Sequence, residues 1–68
     1  MFDKKLFKAA VLMAGKTYQD VADFLGMHIK TLYVRIKKGE FSREEINKLI
    51  QFLNLDSPDR IFFAKKLT

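Results

Sequence analysis

Cysteine and tryptophan are absent from the sequence, and its 68 residues include one proline and one histidine. Without cysteine there is no disulfide bond, thiolate metal site or cysteine nucleophile, a composition typical of reducing compartments. A single histidine does not make a metal site, and Ser42 and Ser57 stand where helix caps are expected. Neither a glycine-rich phosphate loop nor a pair of inward carboxylates is recognisable. We therefore expect no enzyme, no cofactor, no metal and no small-molecule ligand.

Long apolar runs are missing as well. The longest, residues 9–14, is far too short to cross a bilayer, and residues 1–8 lack the apolar stretch of a signal peptide. No linker, repeat or low-complexity segment divides the chain, whose length is near the lower limit for a self-supporting core. These features predict a single domain over residues 1–68, located in the cytoplasm and not in a membrane.

Acidic residues are missing from residues 27–38, although the whole chain carries 13 Lys or Arg and 8 Asp or Glu, a net charge of +5. The cationic side chains of this stretch are Lys30, Arg35, Lys37 and Lys38. A small basic domain often carries its charge for solubility alone, and a lysine on a helix is usually just solvated. Positive charge gathered in one stretch favours a polyanionic partner instead.

Helical signals cover nearly the whole chain, and no alternating run bounded by hairpin turns indicates a strand. The first helix is expected to end near Gly15. Its predicted apolar face consists of Leu6, Ala10 and Met13, flanked by Phe7 and Val11. The second helix should begin at a Thr17 cap and end at Gly26, and the third should span residues 28–37 and stop at Gly39.

The fourth helix has the clearest start signal. Ser42 and Glu45 form a capping-box pattern, and Phe41 is placed to contact Ile46 as a hydrophobic staple. Its apolar stripe, spaced i, i+3, i+4 and i+7, consists of Ile46, Leu49, Ile50 and Leu53. A fifth helix over residues 58–64 should have the only proline at its first position and the preceding serine as its cap. The expected fold is all-α, with five short helices in one compact domain.

The connection between the second and third helices has a helix-turn-helix pattern. Gly26 can adopt the positive φ that a sharp turn needs, and Ala22 is small where the next helix must approach closely. The stretch "TYQDVADFLGMHIKTLYVRI" resembles the helix-turn-helix of lambda-repressor-like (Cro/CI, or XRE) DNA-binding domains. The segments "AG", "GEFSREEINKLIQFLNL" and "IFF" also resemble those of small phage and prophage regulators. With them, the resemblance covers roughly residues 3–64.

This resemblance implies a five-helix lambda-repressor-like domain with its helix-turn-helix at about residues 17–38. Its third helix would enter the major groove of double-stranded DNA, usually as part of a homodimer on a palindromic operator. The implied function is a transcriptional regulator of the Cro or repressor type, in the cytoplasm of a bacterial or phage-infected cell. A stand-alone Cro-like regulator is the expected form, and the N-terminal domain of a longer repressor is the alternative.

Two interpretations of the third helix differ. Periodicity alone places Ile29, Leu32, Tyr33 and Ile36 on its apolar face. The resemblance turns Leu32, Arg35 and Ile36 towards the core, and we follow it because two crossing helices constrain geometry more tightly than a short helical wheel does. The residues implied to read bases are Ile29, Lys30, Tyr33, Val34 and Lys37. The residues implied to contact the DNA backbone are Lys16, Thr17, Tyr18, His28, Thr31 and Lys38.

Two positions depart from the family pattern. Many relatives open the second helix with the pair Thr-Gln. The Gln of this pair contacts the DNA backbone and holds a recognition side chain in place. Here that position is Tyr18, whose hydroxyl can donate to a phosphate, and Gln19 follows it. The cap of the third helix is commonly Ser or Thr, and here it is His28.

The consecutive residues Ile61, Phe62 and Phe63 point about 100° apart on a helix, so one small core cannot take all three. Either they cap the core of their own chain with one ring partly exposed, or they form a symmetric dimer contact. We expect the dimer contact, because it would space two recognition helices about one DNA turn apart.

An alternative function keeps the same fold but binds protein instead of DNA, as an antirepressor or an inert relative would. The apolar Ile29 and Val34 on the expected reading face favour it, as does the missing Gln. A membrane-surface role for the basic stretch fits its short, glycine-bounded ends less well than a packed domain does.

Overall fold

The computed structural model describes residues 2–63, which form five α-helices joined by short connections. In chain order they are α1 (Lys4–Met13), α2 (Tyr18–Leu25), α3 (Ile29–Lys38), α4 (Arg43–Phe52) and α5 (Pro58–Phe62). No strand occurs within residues 2–63, so the predicted all-α class is confirmed there. None of these five helices is long and apolar enough to cross a membrane.

Side-chain caps fix where the helices begin. The Thr17 hydroxyl accepts the Asp20 N–H at 3.1 Å, and the Asp20 carboxylate accepts the Thr17 N–H at 2.8 Å. Ser42 and Glu45 form the same reciprocal pair at the start of α4, as predicted. Asp3 caps α1 with its carboxylate. Each cap satisfies N–H groups that a helix start leaves without a partner.

The core is built around Phe7, whose side chain is fully buried. Four aromatic rings surround it at centroid separations between 5.4 and 6.4 Å, from Phe2, Tyr18, Phe41 and Phe62. The other buried side chains are Val11, Val21, Ala22, Leu32, Ile36, Leu49, Leu53 and Ile61. A backbone hydrogen bond of 2.7 Å from the Asp3 N–H to the Ile61 carbonyl holds the N-terminal segment against α5. One aromatic cluster therefore joins the N-terminal segment to α1, α2, α5 and the α3–α4 connection.

The predicted apolar face of α1 is not the face that enters the core. Phe7 and Val11, expected only to flank that face, are buried, whereas Leu6 and Met13 are 41% and 89% exposed. Helix α1 carries two apolar stripes, and its packing against α5 selects the one with the larger, more rigid ring.

The fifth helix departs from its prediction at both ends. Ser57 occupies the cap position, but its side chain makes no capping hydrogen bond, so Pro58 alone marks the start. The helix ends at Phe62, whereas we expected it to reach residue 64, which lies outside the described residues. Ile61 and Phe62 are only 6% and 7% exposed, so both belong to the core of their own chain.

Replacing Gly39 by alanine should destabilise the protein more than replacing Gly26. Both glycines end helices at positive φ, 69° and 71°, where a side chain costs roughly 1 kcal/mol or more. A Cβ at Gly26 would meet open space, but at Gly39 it would lie 2.7 Å from the Cβ of Phe2. We expect losses of about 1 kcal/mol for Gly26→Ala and about 2–3 kcal/mol for Gly39→Ala in urea denaturation. Equal losses would contradict the close contact with Phe2.

Candidate nucleic-acid interface

Helices α2 and α3 pack against each other across a three-residue connection, Gly26 to His28. Gly26 is left-handed, with φ 71° and ψ 33°, which ends α2 and redirects the chain at once. Ala22 on α2 and Leu32 on α3 are both fully buried, so the small alanine allows the close approach that the sequence predicted. The two helices therefore form one unit with a fixed outer face.

The outer face of α3 is cationic and apolar together. The side chains of Lys30, Thr31, Tyr33, Val34, Lys37 and Lys38 are all exposed, with Tyr33 at 54% and Val34 at 51%. Leu32 and Ile36 point the other way, into the core. Periodicity alone was wrong about Tyr33, which it placed on the apolar face. Ile29 is partly buried against the core, so it contributes only an edge to this face.

Arg35 does not join this face, because it is held by α4. Its guanidinium donates to the Glu45 carboxylate at 2.7 Å and to the Glu40 carbonyl at 3.2 Å. Burial acts to raise the pKa of Glu45, but the Ser42 N–H and the Arg35 guanidinium outweigh it and lower that pKa. The same carboxylate thus caps α4 and pairs with α3, which connects the two helices directly.

A chain of aromatic contacts connects the outer face to the core. Tyr18 stacks on buried Phe7 at 6.0 Å and meets the exposed Tyr33 edge-on at 5.9 Å. Partial burial, and secondarily the neighbouring Tyr33, raise the pKa of Tyr18. Gln19 does not take the role of the glutamine that lambda-repressor-like domains carry at the start of the second helix. Its amide donates along α2 to Asp23 at 2.9 Å instead of reaching α3.

The remaining residues expected at the DNA backbone are engaged within the chain. His28 caps α3, its Nδ1 accepting the Lys30 N–H at 3.1 Å, and the Thr17 hydroxyl accepts a bond within its capping box. The Lys16 ammonium lies 5.0 Å from the centroid of the Phe52 ring, a cation–π contact. These two capping bonds use neither the Nε2–H of His28 nor the hydroxyl proton of Thr17, so both groups are free to donate outward.

Sequence reasoning missed two features of this region. The spacing Thr17-x-x-Asp20 is a capping-box signal that could have been recognised. Phe24 and Phe52 stack at 4.1 Å with ring planes 12° apart, and this pair positions Lys16. The two phenylalanines lie far apart in sequence with no shared periodicity, so nothing in the sequence predicted their contact.

Among the described residues, no three His, Asp or Glu side chains converge to hold a metal ion. Comparisons with protein-family models, with curated proteins and with solved structures each find no match for this chain. The family resemblance therefore stays a prediction.

Replacing Glu45 should show how far its carboxylate stabilises the fold. We expect Glu45→Gln to lower the free energy of unfolding by about 0.5–1 kcal/mol, because it loses the ion pair with partly exposed Arg35. The folded-state pKa of Glu45 lies below its unfolded value, so its contribution is complete at neutral pH and is lost as pH falls through the folded-state pKa. The difference between the two proteins in urea denaturation should accordingly shrink in acid.

The matched control is Glu44→Gln, which removes a more exposed pair with Lys48 at 3.5 Å. Both glutamates are in the first turn of α4 and lose the same favourable helix-dipole interaction, so Glu44→Gln should lose less stability than Glu45→Gln, which also loses the shorter ion pair. If both variants lose the same stability, Glu45 has no special role between α3 and α4.

Proposed function

We propose that this domain binds double-stranded DNA as a helix-turn-helix of the lambda-repressor-like type, with α3 in the major groove. The observation that carries the proposal is the outer face of α3, which exposes three lysines and no acid. Arg35, the remaining cation of the helix, is already neutralised by Glu45. A helix presented for solvation alone usually mixes its charges, whereas phosphate binding favours one sign.

Five of the six exposed side chains on the outer face of α3 have a role in this proposal. Lys30, in the first turn, is placed to donate to guanine O6 and N7 or to a phosphate, and Val34 is placed to contact a thymine methyl group. Tyr33, which lies between Lys30 and Val34 in the sequence, offers a hydroxyl and an aromatic ring. Lys37 and Lys38 end the helix and would bind phosphates, which fix the position of the domain without reading sequence.

The second part of the proposal is a two-fold dimer of this chain. Phe63 is 57% exposed and lines a groove between α4 and α5 together with Phe41, Ile46 and Ile50. Arg43 and Asp59 line the same groove. Contacts across a two-fold axis are reciprocal, so Arg43 of each chain can pair with Asp59 of the other. Of the three residues expected at the dimer contact, only Phe63 is free to make it.

Protein binding by the same face is the second candidate function. Tyr33 and Val34 are adjacent, apolar and about half exposed, a composition that also suits a protein interface. The lysines around them make DNA the stronger proposal, because positive charge is typical of DNA-binding surfaces and lysine is depleted from protein interfaces.

A salt series with a generic DNA duplex, followed by fluorescence anisotropy, tests the DNA proposal. Neutralising about four to six phosphates should give a log–log slope of affinity against salt of roughly −4 to −5. Lys30→Ala/Lys37→Ala should reduce the size of that slope by roughly 2, since each phosphate contact contributes about 0.9.

The control variant, Lys4→Ala/Lys48→Ala, removes two exposed lysines from α1 and α4 and should leave the slope unchanged. Equal effects of the two variants would mean that only net charge matters. A folded protein that fails to bind DNA even at low salt would contradict the proposal and favour a protein partner.

Sedimentation equilibrium tests the dimer. We expect the wild type to associate in the micromolar range and Phe63→Ser to be a monomer, because the exposed ring fills the partner's groove. Leu12→Ser, which removes a 65% exposed side chain on α1, is the matched control and should still associate. A wild type that stays monomeric at high micromolar concentration would rule out this contact.

A further inference from the structure

Helix α1 leaves an apolar stripe largely open; only its Ala10 packs partly against the core, and none of it belongs to the proposed DNA interface. The stripe carries Leu6, Ala9, Ala10 and Met13, at helical spacing along one side of the helix. It forms one wall of a groove of about 370 Å³, whose other wall is the segment from Leu53 to Ser57 with Arg60 and Ile61 of α5. Leu6 is 41% exposed and Met13 is 89% exposed, so this wall is accessible to a partner.

The lysines beside the groove are placed against the usual rule for helices. Asp3 caps α1 with its carboxylate, but the first turns of the helix itself carry Lys4, Lys5 and Lys8, all exposed, and no acid, although the N-terminal end of a helix favours negative charge. Within residues 2–63, neither ion pair includes these lysines. Lysines that lower helix stability and have no internal partner suit an external anion.

Helical geometry places these lysines differently relative to the groove. At 100° per residue, Lys5 borders the stripe on the side of Ala9, and Lys4 points away from it. Arg60 adds a cation on the opposite wall, and Asp56 is the acid among the lining residues. The α1 wall of the groove is therefore apolar, the opposite wall mixes apolar with polar and charged side chains, and Lys5 and Arg60 are the cations beside it.

We propose that the groove between α1 and α5 is the docking site for an acidic amphipathic helix of another protein. Its apolar side chains would lie on Leu6 and Met13, and its carboxylates would pair with Lys5 and Arg60. This is the helix-in-groove mode of recognition, and α1, about 15 Å long, matches about ten residues of a partner helix. The proposal does not depend on DNA binding by α3.

Other occupants match the groove less well. A second copy of this chain has the same net charge of +5 and would bring further cations to Lys5 and Arg60. A membrane surface is broad and flat, whereas these apolar side chains line a concave groove. A peptide that adds as a β-strand would need a free strand edge, and residues 2–63 contain no strand.

The test is fluorescence anisotropy with a labelled synthetic peptide of about fourteen residues, with leucines at helical i, i+3, i+4 and i+7 spacing and glutamates on its other faces. We expect it to bind the full chain at physiological salt. A peptide with lysine in place of every glutamate, and a scrambled acidic peptide without the leucine stripe, should bind at least about tenfold more weakly. Equal binding of either control peptide would overturn the proposal.

Two point variants separate docking from folding. Lys5→Glu should weaken peptide binding about fivefold or more and raise the melting temperature, because it reverses an edge charge and suits the helix dipole. Lys4→Glu should raise the melting temperature similarly but leave peptide binding nearly unchanged, because it points away from the groove. Equal weakening by both would show a nonspecific charge effect and overturn the site.

A third variant blocks the groove itself. Ala9→Glu places a carboxylate on the exposed stripe and should abolish peptide binding, whereas Gln51→Glu on the exposed side of α4 should not. An excess of generic DNA duplex should leave peptide binding unchanged; displacement would instead place the peptide on α3 and overturn the proposal. If Ala9→Glu abolishes self-association, the groove belongs to a second copy of the chain instead. If the protein binds anionic vesicles but not the peptide, the groove belongs to a lipid surface instead.

Discussion

The burial of Phe7 is the interaction on which the rest of this structure depends. The helices are five to ten residues long, and isolated helices of that length are barely stable in water. No disulfide joins them, because the chain has no cysteine. The ring of Phe7 lies against rings from the N-terminal segment, α2, α5 and the α3–α4 connection. Their relative positions, and so the outer face of α3, follow from this shared contact.

Local rules predicted the helix boundaries well. The starts at Thr17 and Ser42 and the glycine ends of α2 and α3 depend on residues within one turn of each other, so the sequence shows them directly. Leu49 and Leu53 of the predicted α4 stripe are buried, because that helix has only one apolar side. Helix α1 has two, and the choice between them is made by Phe2 and α5, which no local rule includes.

The candidate site was predictable only in part, because some of its contacts also join parts of the chain that no local rule includes. The exposed lysines of α3 follow from charge and spacing, and the inward turn of Arg35 follows from the resemblance. The exposure of Tyr33 depends on its contact with Tyr18 across the α2–α3 crossing, which periodicity alone misjudged. Ile61 and Phe62 were expected to meet a partner, yet the aromatic cluster had room for them. Such outcomes depend on volumes and crossing angles that a sequence does not display.

The two tyrosines have a further consequence for the spectroscopy of this protein. With two tyrosines and no tryptophan, its near-ultraviolet absorption and its intrinsic emission come mainly from Tyr18 and Tyr33. These rings touch each other, one against the core and one open to solvent. A ligand on α3 would change the surroundings of Tyr33 directly, whereas the groove beside α1 has no tyrosine in its lining. Unlabelled protein therefore distinguishes by its own optical signal whether a ligand occupies α3 or the groove beside α1.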